Sequence, residues 1–555
     1  MYSNKLSVQL LGEVLYRYDI TDIIISPGSR NAPLTIHFTN HKEYTCYSIV
    51  DERSAAFFAL GMAQSKKKPV VICCTSGTAS ANYYPAIIEA FYQNVPLLVL
   101  TADRPENYVD IFDGQTIRQK NIYSNHIYGS FQLSESENEE SITQNFLDLK
   151  KALHTCILKS GPVHINIPFS EPLYKQTEKI EIIIDKLALP YKSYNSDLYS
   201  PLLPTWNHYS KKMILVGMQQ PNSKLTHLLE RLADREDTII LTEITSNLNS
   251  SKFYPTIDRY MFPFGEHKME EYKPDLLLTI GQNIVSKKIK DFLRKSNLQA
   301  HWHLDEFWHP DTYFSLTEKI EENPVIFLKK LVKISPKTST YSLLWKQLKN
   351  EREQRHHEFV AHLPFSDLWV IKTLDKKIPD SYNLQLSNSS MIRYAQLFNF
   401  NSKNKIFCNR GASGIDGSTS TAVGFAVADH HPTVLITGDI GFFYDSNALW
   451  NKYIPHTFRI ILINNGGGDI FKIIPGPDTS NALDEFFVTH HDRTAQLLAK
   501  EYNFEYLQAH NQEELVKHLE SFFNSSHRPK LLEINTAGQP NSNLLREYFN
   551  YLNQE

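Results

Sequence analysis

The chain has 555 residues, which predicts about three or four domains at roughly 150 residues each. Hydrophobic residues make up 41% of the sequence and charged residues 21%, a globular composition that excludes extensive disorder and collagen-like architecture. With 57 basic and 61 acidic residues the net charge is −4, and no run of Lys or Arg exceeds three residues. Binding of nucleic acid through a broad basic surface is therefore not expected.

The apolar runs and the cysteines indicate where the protein resides. The longest apolar runs, such as 95–100, are much shorter than the roughly 18 residues of a membrane helix. The first residues lack the charged segment and apolar core of an export signal. The five cysteines form no Cys-x-x-Cys pair, which favours reduced, buried thiols. We therefore expect a cytoplasmic protein without membrane insertion.

The first 170 residues alternate short apolar runs with small polar turns and helical patterns. The runs are 22–25, 47–50, 70–74, 95–100 and 163–167. Continuous β-branched runs that alternate with helices are typical of a parallel sheet covered on both faces. We therefore predict a first domain over residues 1–175.

The middle of the chain repeats this alternation after a polar stretch at 171–209, which contains four prolines and is predicted to be a linker. The apolar runs there are 213–217, 238–241, 275–281 and 301–304. This second domain, assigned to 176–350 with its flanking linkers, resembles a Rossmann fold. However, 217–220 has no Gly-x-Gly-x-x-Gly pattern that would support dinucleotide binding. The charged, helical pattern at 331–364 predicts a second connector.

The third segment, 351–555, follows the pattern of the first. Its apolar runs are 405–408, 434–437, 459–463 and 530–534. The predicted fold class is therefore α/β, with three doubly wound parallel-sheet domains of which the outer two are alike in pattern but not in sequence.

Glycine is concentrated in this third domain, because ten of the 21 glycines lie within 411–476. One predicted strand ends in Gly438-Asp439, and another ends 26 positions later at Asn465, before three glycines. Ligands bind beyond the carboxyl ends of such strands, and Mg²⁺ prefers oxygen ligands. Asp439, the Asn465 amide oxygen and a backbone carbonyl within 466–468, for which we take Gly467, are therefore candidate metal ligands. The alternative is an aspartate at a helix N-terminus beside a glycine turn that binds nothing.

Five local strings resemble one enzyme family. They are residues 26–34, 101–105, 115–119, 409–417 and 464–471. Together they are similar to the thiamine diphosphate-dependent 2-succinyl-5-enolpyruvyl-6-hydroxy-3-cyclohexene-1-carboxylate synthases of menaquinone biosynthesis, with a further similar segment at 281–288. Ile440 departs from the usual Gly-Asp-Gly cofactor motif without affecting Asp439.

The resemblance implies a domain organisation and a set of partners. Residues 1–175 would bind the pyrimidine of thiamine diphosphate, 176–350 would form the central Rossmann-like domain, and 351–555 would bind the diphosphate and Mg²⁺ or Mn²⁺. In this superfamily the active site lies between two subunits, which implies a homodimer or a homotetramer.

The resemblance also assigns cofactor contacts. Glu52 matches the glutamate that hydrogen-bonds the aminopyrimidine and promotes the tautomer that activates the cofactor, which then serves as a carbanion sink. Alternatively, Asp51 and Glu52 favour a helix N-terminus through its dipole. The full set of implied cofactor contacts is Ser29, Glu52, Gly411, Gly438, Gly466, Gly467, Ile470 and Phe471.

The implied reaction is decarboxylation of 2-oxoglutarate and addition of the resulting carbanion to isochorismate. Both substrates are dicarboxylates, so the pocket needs cations, preferably arginines that bind carboxylates in a bidentate way. Ser389 and Arg393 share a helix face if a helix begins there. Family members often have Arg in place of Lys288. For any one of these basic residues, the alternative to substrate binding is a surface or structural role. The implied substrate contacts are Arg30, Arg104, Gln115, Lys287, Lys288, Ser389, Arg393 and Arg410.

Two other functions are weighed against this one. The first is another thiamine diphosphate-dependent 2-oxoacid decarboxylase or carboligase, similar to acetohydroxyacid synthase, whose smaller substrates fit the arginine set less well. The second is a catalytically silent binding protein that keeps the fold, against which the joint presence of Glu52, Asp439 and Asn465 argues.

Other candidate sites have weaker support. His301 and His303 alternate on a predicted strand, where a packed pair is the alternative to a zinc site. The segment His490-His491-Asp492 has a polar loop as the alternative to a proton relay. Ser76 lies outside any Gly-x-Ser-x-Gly elbow, and no Gly-x₄-Gly-Lys-Ser/Thr loop exists, so serine hydrolases and P-loop phosphotransferases are not supported.

Overall fold

The computed structural model describes residues 1–195, 197–261, 266–400, 404–474 and 476–554. Three parallel sheets follow one another along the chain, which confirms the predicted α/β fold class. In the first sheet, Ile24 and Ile72 belong to one buried cluster, whereas their strand neighbours Ile23 and Val71 belong to another. Both faces of the sheet are therefore covered, as the continuous apolar runs predict.

The first sheet has six strands in the order β3-β2-β4-β5-β7-β6, and β1 and β8 form a separate antiparallel ribbon. The strands are β1 (Tyr2–Ser3), β2 (Asp22–Ile25), β3 (Thr45–Ser48), β4 (Val70–Cys74), β5 (Leu97–Asp103), β6 (Ser130–Gln132), β7 (Val163–Pro168) and β8 (Gln176–Thr177). The helices are α1 (Leu6–Arg17), α2 (Ala32–Asn40), α3 (Glu52–Lys66), α4 (Thr78–Asn82), α5 (Tyr84–Gln93) and α6 (Glu139–Lys159).

The middle sheet has five strands in the order β10-β9-β11-β12-β13. The strands are β9 (Lys212–Val216), β10 (Thr238–Thr242), β11 (Leu276–Ile280), β12 (Ala300–Asp305) and β13 (Glu318–Glu321). The helices are α7 (Leu202–Trp206), α8 (Ser223–Ala233), α9 (Ile257–Tyr260), α10 (Glu266–Tyr272), α11 (Lys287–Lys295), α12 (Pro324–Leu331) and α13 (Tyr341–Ala361). Position 350 lies within α13, and the domain boundaries at 175 and 350 stay predictions.

The third sheet has six strands in the order β15-β14-β16-β17-β19-β18. The strands are β14 (Asn383–Leu386), β15 (Ile406–Cys408), β16 (Thr433–Gly438), β17 (Arg459–Asn464), β18 (Glu505–Ala509) and β19 (Lys530–Asn535). The helices are α14 (Asp367–Lys377), α15 (Ser390–Ala395), α16 (Ser418–Ala428), α17 (Asp439–Tyr444), α18 (Ile470–Ile473), α19 (Gln496–Glu501), α20 (Gln512–Phe522) and α21 (Asn541–Leu552). Counted from its own first strand, each outer sheet has the same order, 2-1-3-4-6-5.

Helices α3 and α16 join the two outer domains. A Cβ on Gly61 would overlap the carbonyl oxygen of Thr421, and one on Gly424 would overlap the carbonyl oxygen of Phe58. Only glycine allows the two backbones to approach this closely. One buried apolar cluster includes residues of both domains, so the first and third domains share a core.

Candidate active site

A cavity opens at the carboxyl edge of the third sheet, where β14, β16 and β17 end. Binding at this edge is the rule for open parallel sheets. The walls come from the segments that follow those strands, together with Ile415, α18, Phe487 and Thr489. The predicted site residues in its walls are Ser389, Gly438, Asp439, Asn465, Gly467, Ile470 and Phe471.

Asp439 holds the glycine loop at the bottom of this cavity. Its buried carboxylate accepts hydrogen bonds through Oδ2 from the N–H groups of Gly466 at 2.9 Å and Gly467 at 3.0 Å. Its Oδ1 accepts the N–H of Ile440 at 2.7 Å, so Asp439 also begins α17, as the alternative interpretation expects. His491 Nε2 lies 3.4 Å from Oδ2, and this contact raises the pKa of His491.

Asn465 presents an unused oxygen beside that carboxylate. Its Nδ2 donates to Asp367 Oδ2 at 2.9 Å, which fixes the orientation of the amide. Within the described residues its Oδ1 is buried and has no hydrogen-bond partner. A buried acceptor without a donor is costly unless something binds it, and oxygen is the ligand that Mg²⁺ prefers. Asp439 and Asn465 therefore fit the metal that the sequence predicts.

Asp367 is a part of this site that the sequence did not indicate. It is fully buried at the start of α14, and burial raises the pKa of its carboxyl to about 7. Its other oxygen accepts the Thr536 hydroxyl at 2.6 Å. Because 98 positions separate Asp367 from Asn465, no local pattern could have indicated the contact.

The glycines leave room beside the metal half-site. No atom lies within 4 Å of the place where a Cβ on Gly438 would be, so that position faces open space. A Cβ on Gly467 would instead meet the Val488 carbonyl oxygen at 2.7 Å. The ring of Phe471 lies 5.5 Å from that of Phe487, and with Ile470 it forms an apolar wall. A polar floor with open backbone and an apolar wall suits a diphosphate joined to an aromatic ring.

An arginine pair lies next to this cavity. Arg410 donates through Nη1 to Asn388, a cavity residue, at 3.0 Å. Burial and the nearby Arg410 lower the pKa of Arg393. The Nε atoms of both arginines are buried without a hydrogen-bond partner in the described part of the chain. Unused guanidinium donors of this kind suit a carboxylate ligand. Ser389 precedes α15 with φ +72°, so it does not share a helix face with Arg393.

The two candidate lysines of the middle domain are outside the cavity wall. Lys287 is the exposed first residue of α11. The ammonium of Lys288 lies 3.0 Å from the centre of the Phe549 ring in α21, and burial lowers its pKa to about 8. Lys288 thus contacts the C-terminal helix.

The candidate residues of the first domain lie at the corresponding edge of its own sheet, and none of them lines the cavity. Asp51 caps α3 by accepting the Ser54 N–H at 3.2 Å, and Glu52 is the first helical residue, as the dipole interpretation expects. The Glu52 carboxylate accepts the Asn82 amide at 3.1 Å and is half-buried. Within the described residues Glu52 is therefore not part of the cavity wall that Asp439 lines in its own chain.

The remaining first-domain candidates differ in exposure. Arg30 is buried and donates to the Phe169 carbonyl at 2.7 Å, while its Nε has no partner among the described residues. Arg104 is held by Asp113 at 3.4 Å. Ser29 and Gln115 are exposed.

Comparison with known proteins identifies the family. Residues 7–127 match the family described as "Thiamine pyrophosphate enzyme, N-terminal TPP binding domain", and residues 388–534 match the corresponding C-terminal TPP binding domain. A 2-succinyl-5-enolpyruvyl-6-hydroxy-3-cyclohexene-1-carboxylate synthase of Flavobacterium psychrophilum is 46% identical over 98% of both chains. Proteins of the same name are 44% identical in Flavobacterium johnsoniae and 36% identical in Bacteroides thetaiotaomicron, each over 100% of both chains. The chain belongs to the 2-succinyl-5-enolpyruvyl-6-hydroxy-3-cyclohexene-1-carboxylate synthase family.

One predicted cofactor contact has a different partner in this synthase-family chain. The N–H of Gly411 donates to the Glu89 carboxylate of α5 at 2.6 Å, and the N–H of Ala412 does so at 2.7 Å. Glu89 is buried, which raises its pKa. Gly411 is outside the cofactor cavity wall. It serves the contact between the first and third domains, so its N–H is not available to a cofactor.

The histidine pairs have ordinary structural surroundings. His301 Nε2 and His303 Nδ1 lie 2.9 and 2.7 Å from the Thr279 hydroxyl. Burial lowers the pKa values of these histidines to about 4 and about 3, so both are neutral at pH 7. Among the described residues no three His, Cys, Asp or Glu side chains form a metal-binding group. His490 is exposed, whereas His491 contacts Asp439.

Two further findings concern the whole chain. No helix in the described ranges has the length and apolar character needed to cross a membrane. The five cysteines are unpaired, and four of them are buried.

Proposed function

We propose that this chain decarboxylates 2-oxoglutarate and adds the remaining four-carbon unit to isochorismate. The product is 2-succinyl-5-enolpyruvyl-6-hydroxy-3-cyclohexene-1-carboxylate, a step in menaquinone biosynthesis. The observation that carries the proposal is the Asn465 oxygen, which has no partner among the described residues and lies in the same cavity wall as Asp439, in a chain of this family. It favours an active synthase over a silent protein that merely keeps the fold.

The third domain holds the cofactor. Asp439, Asn465 Oδ1 and the Gly467 carbonyl would bind Mg²⁺ or Mn²⁺, and Gly438 and Gly466 would leave room for the diphosphate. Ile470 and Phe471 would pack against the cofactor ring. When bound, thiamine diphosphate supplies the electron sink that decarboxylation of a 2-oxoacid requires.

Cations on all three domains would bind the substrate carboxylates. Arg393 and Arg410 supply Nε donors that have no partner among the described residues, and Ser389 lines the cavity itself. The other proposed substrate contacts are Arg30, Arg104, Gln115, Lys287 and Lys288. Two dicarboxylates need more cations than the smaller substrates of an acetohydroxyacid synthase, which favours the synthase over that alternative.

A second copy of the chain would complete the site. Because Glu52 is outside the cavity of its own chain, we infer that the partner of a homodimer, alone or within a homotetramer, supplies it. Three exposed apolar side chains support this interface. Val50 lies two residues before Glu52, Tyr444 is the last residue of α17, and Trp450 follows that helix. The unpaired thiols support a reducing compartment, which we take to be the cytoplasm.

The test combines protein, thiamine diphosphate, Mg²⁺, 2-oxoglutarate and isochorismate, and follows isochorismate loss together with CO₂ release. We expect both to require all components. Absence of isochorismate consumption, or equal turnover of pyruvate alone, would contradict the proposed function.

Mixing two inactive variants tests the shared site. In a mixture of Glu52→Gln and Asp439→Ala chains, a mixed dimer has one cavity with Asp439 that receives an intact Glu52. Activity should return to about a quarter of the unaltered level. No recovery after verified subunit exchange would contradict a site built by two chains.

A further inference from the structure

The segment 282–286 lies where the three domains meet. Gln282 Nε2 donates to the Gln93 carbonyl of the first domain at 2.6 Å. Asn283 Nδ2 donates to the Arg410 carbonyl of the third domain at 2.7 Å. The segment itself follows β11 of the middle domain and leads directly into α11, whose first residue is Lys287. The segment therefore connects the backbone of Lys287 to that of Arg410, and both residues are proposed substrate contacts.

Glu243, which no sequence motif indicated, holds this segment through two backbone hydrogen bonds. It directly follows β10, and its side chain is buried. Its Oε2 accepts the N–H of Val285 at 2.7 Å and its Oε1 accepts the N–H of Ser286 at 2.8 Å. Ser286 in turn caps α11 by accepting the Ile289 N–H at 3.2 Å, and its hydroxyl donates to Asp258. Both oxygens of Glu243 are thus engaged by the backbone that precedes Lys287.

Glu243 also supplies negative charge to a cationic cluster. Burial and the positive charges of Arg410, Arg294 and Arg393 lower the pKa of Lys290, whereas Glu243 acts in the opposite sense. Glu243 likewise opposes the lowering of the Arg393 pKa that burial and Arg410 cause. A buried carboxylate at this place reduces the repulsion among these cations.

We propose that Glu243 is a positioning residue for substrate binding, which fixes the backbone before Lys287 and balances the charge of Arg393 and Arg410. The inference rests on the function proposed above, because these cations matter to catalysis only if anionic substrates bind there. Glu243 does not touch the cofactor cavity, so it would act through its neighbours.

The variant Glu243→Gln tests this role because it keeps the size of the side chain. A carboxamide has one acceptor oxygen, and its NH₂ group would face the second backbone N–H, so one buried donor loses its partner. We expect KM for at least one of the two substrates to rise about tenfold, with kcat little changed. Binding of thiamine diphosphate and Mg²⁺, measured by calorimetry, should be unaltered. Glu243→Asp keeps both oxygens and should recover part of the loss.

Asp237→Asn is the matched control. Asp237 directly precedes β10, so it lies at the opposite end of the same strand, where it forms a buried pair with Lys212. We expect this variant to unfold at lower temperature but to keep the KM values of the unaltered enzyme. The control separates loss of stability from loss of substrate positioning.

The pH profile provides a readout that a purely structural role would not change. Burial raises the pKa of Glu243 to about 7, so protonation below that pH removes one acceptor from the segment. In the unaltered enzyme KM should rise as the pH falls through about 7, and in Glu243→Gln this inflection should be absent. The charged and titratable groups that face Glu243 are Asp258, Lys290, Arg393, Cys408, Arg410 and Tyr313.

Hydrogen exchange tests the proposal independently of turnover. Amides of 283–290 should exchange faster in Glu243→Gln than in the unaltered chain and in Asp237→Asn. Unchanged exchange, or KM values and a pH profile equal to those of the unaltered enzyme, would overturn the positioning role. If the unaltered enzyme does not consume isochorismate, the proposed function fails instead, and the exchange result still decides whether Glu243 fixes the segment.

Discussion

The first and third domains share one strand order but have different chemistry at the edge of the sheet. After the fourth strand the first domain has Arg104, whereas the third has Asn465 and the glycine loop. After the second strand the first domain has Glu52, whereas the third has Arg410. The shared topology places both sets of residues at the same edge of a sheet, where ligands bind. The different residues at the strand ends are the basis on which we propose that each domain binds a different half of the cofactor.

The largest expected effect is in the third domain. Asp439→Ala removes a proposed metal ligand and the acceptor that holds Gly466 and Gly467. Calorimetry should therefore detect no Mg²⁺-dependent binding of thiamine diphosphate. Asp429→Asn, at the end of α16 and outside the cavity wall, should bind the cofactor normally. If Asp439→Ala still binds thiamine diphosphate in a Mg²⁺-dependent way, Asp439 is not needed for that binding. The proposed chemical difference between the edges of the first and third sheets would then be contradicted.

A first-domain variant should separate turnover from binding. Glu52→Gln keeps the length of the side chain but cannot exchange a proton as a carboxyl group does. We expect kcat to fall by about 10²–10⁴-fold, the usual contribution of a positioned acid or base, while calorimetry shows intact cofactor binding. The control Asp51→Ser keeps a cap on α3, so it should remain active. Wild-type turnover in Glu52→Gln would exclude Glu52 from the mechanism.

The smallest expected effect concerns the contact between the two domains. Gly424→Ala places a methyl group against the Phe58 carbonyl, so α3 and α16 must move apart. Overpacking of this kind costs about 1–3 kcal/mol, and the midpoint of thermal unfolding should fall by several degrees. Gly114→Ala, where no atom lies within 4 Å of the new Cβ, should leave the midpoint unchanged. Equal midpoints for the two variants would show that the helix contact tolerates a side chain.

Local sequence patterns predicted the positions of the strands well, because strand formation depends on residues that are close in sequence. The predicted runs 22–25 and 70–74 coincide with β2 and β4, whereas 95–100 is displaced from β5 by two to three residues. Two of the candidate metal ligands, Asp439 and Asn465, meet at one edge because parallel strands align their carboxyl ends.

Contacts between distant segments could not be predicted in the same way. Glu89 and Gly411 are 322 positions apart, and Glu243 reaches Val285 across 42 positions. The first contact depends on how the first and third domains dock, and the second on how the segments after β10 and β11 meet within the middle domain; hydrophobic periodicity encodes neither. The same reason explains why the sequence indicated neither the contact of Glu89 with Gly411 nor the contacts of Glu243.

The close contact of α3 with α16 also constrains how the sequence can change over time. Gly61 and Gly424 each meet backbone atoms of the opposite helix, so no side-chain replacement across the contact can compensate for a larger residue at either position. A larger residue at either glycine therefore requires the two helices to separate, so the main chain of each outer domain limits which side chains the other can carry at this contact.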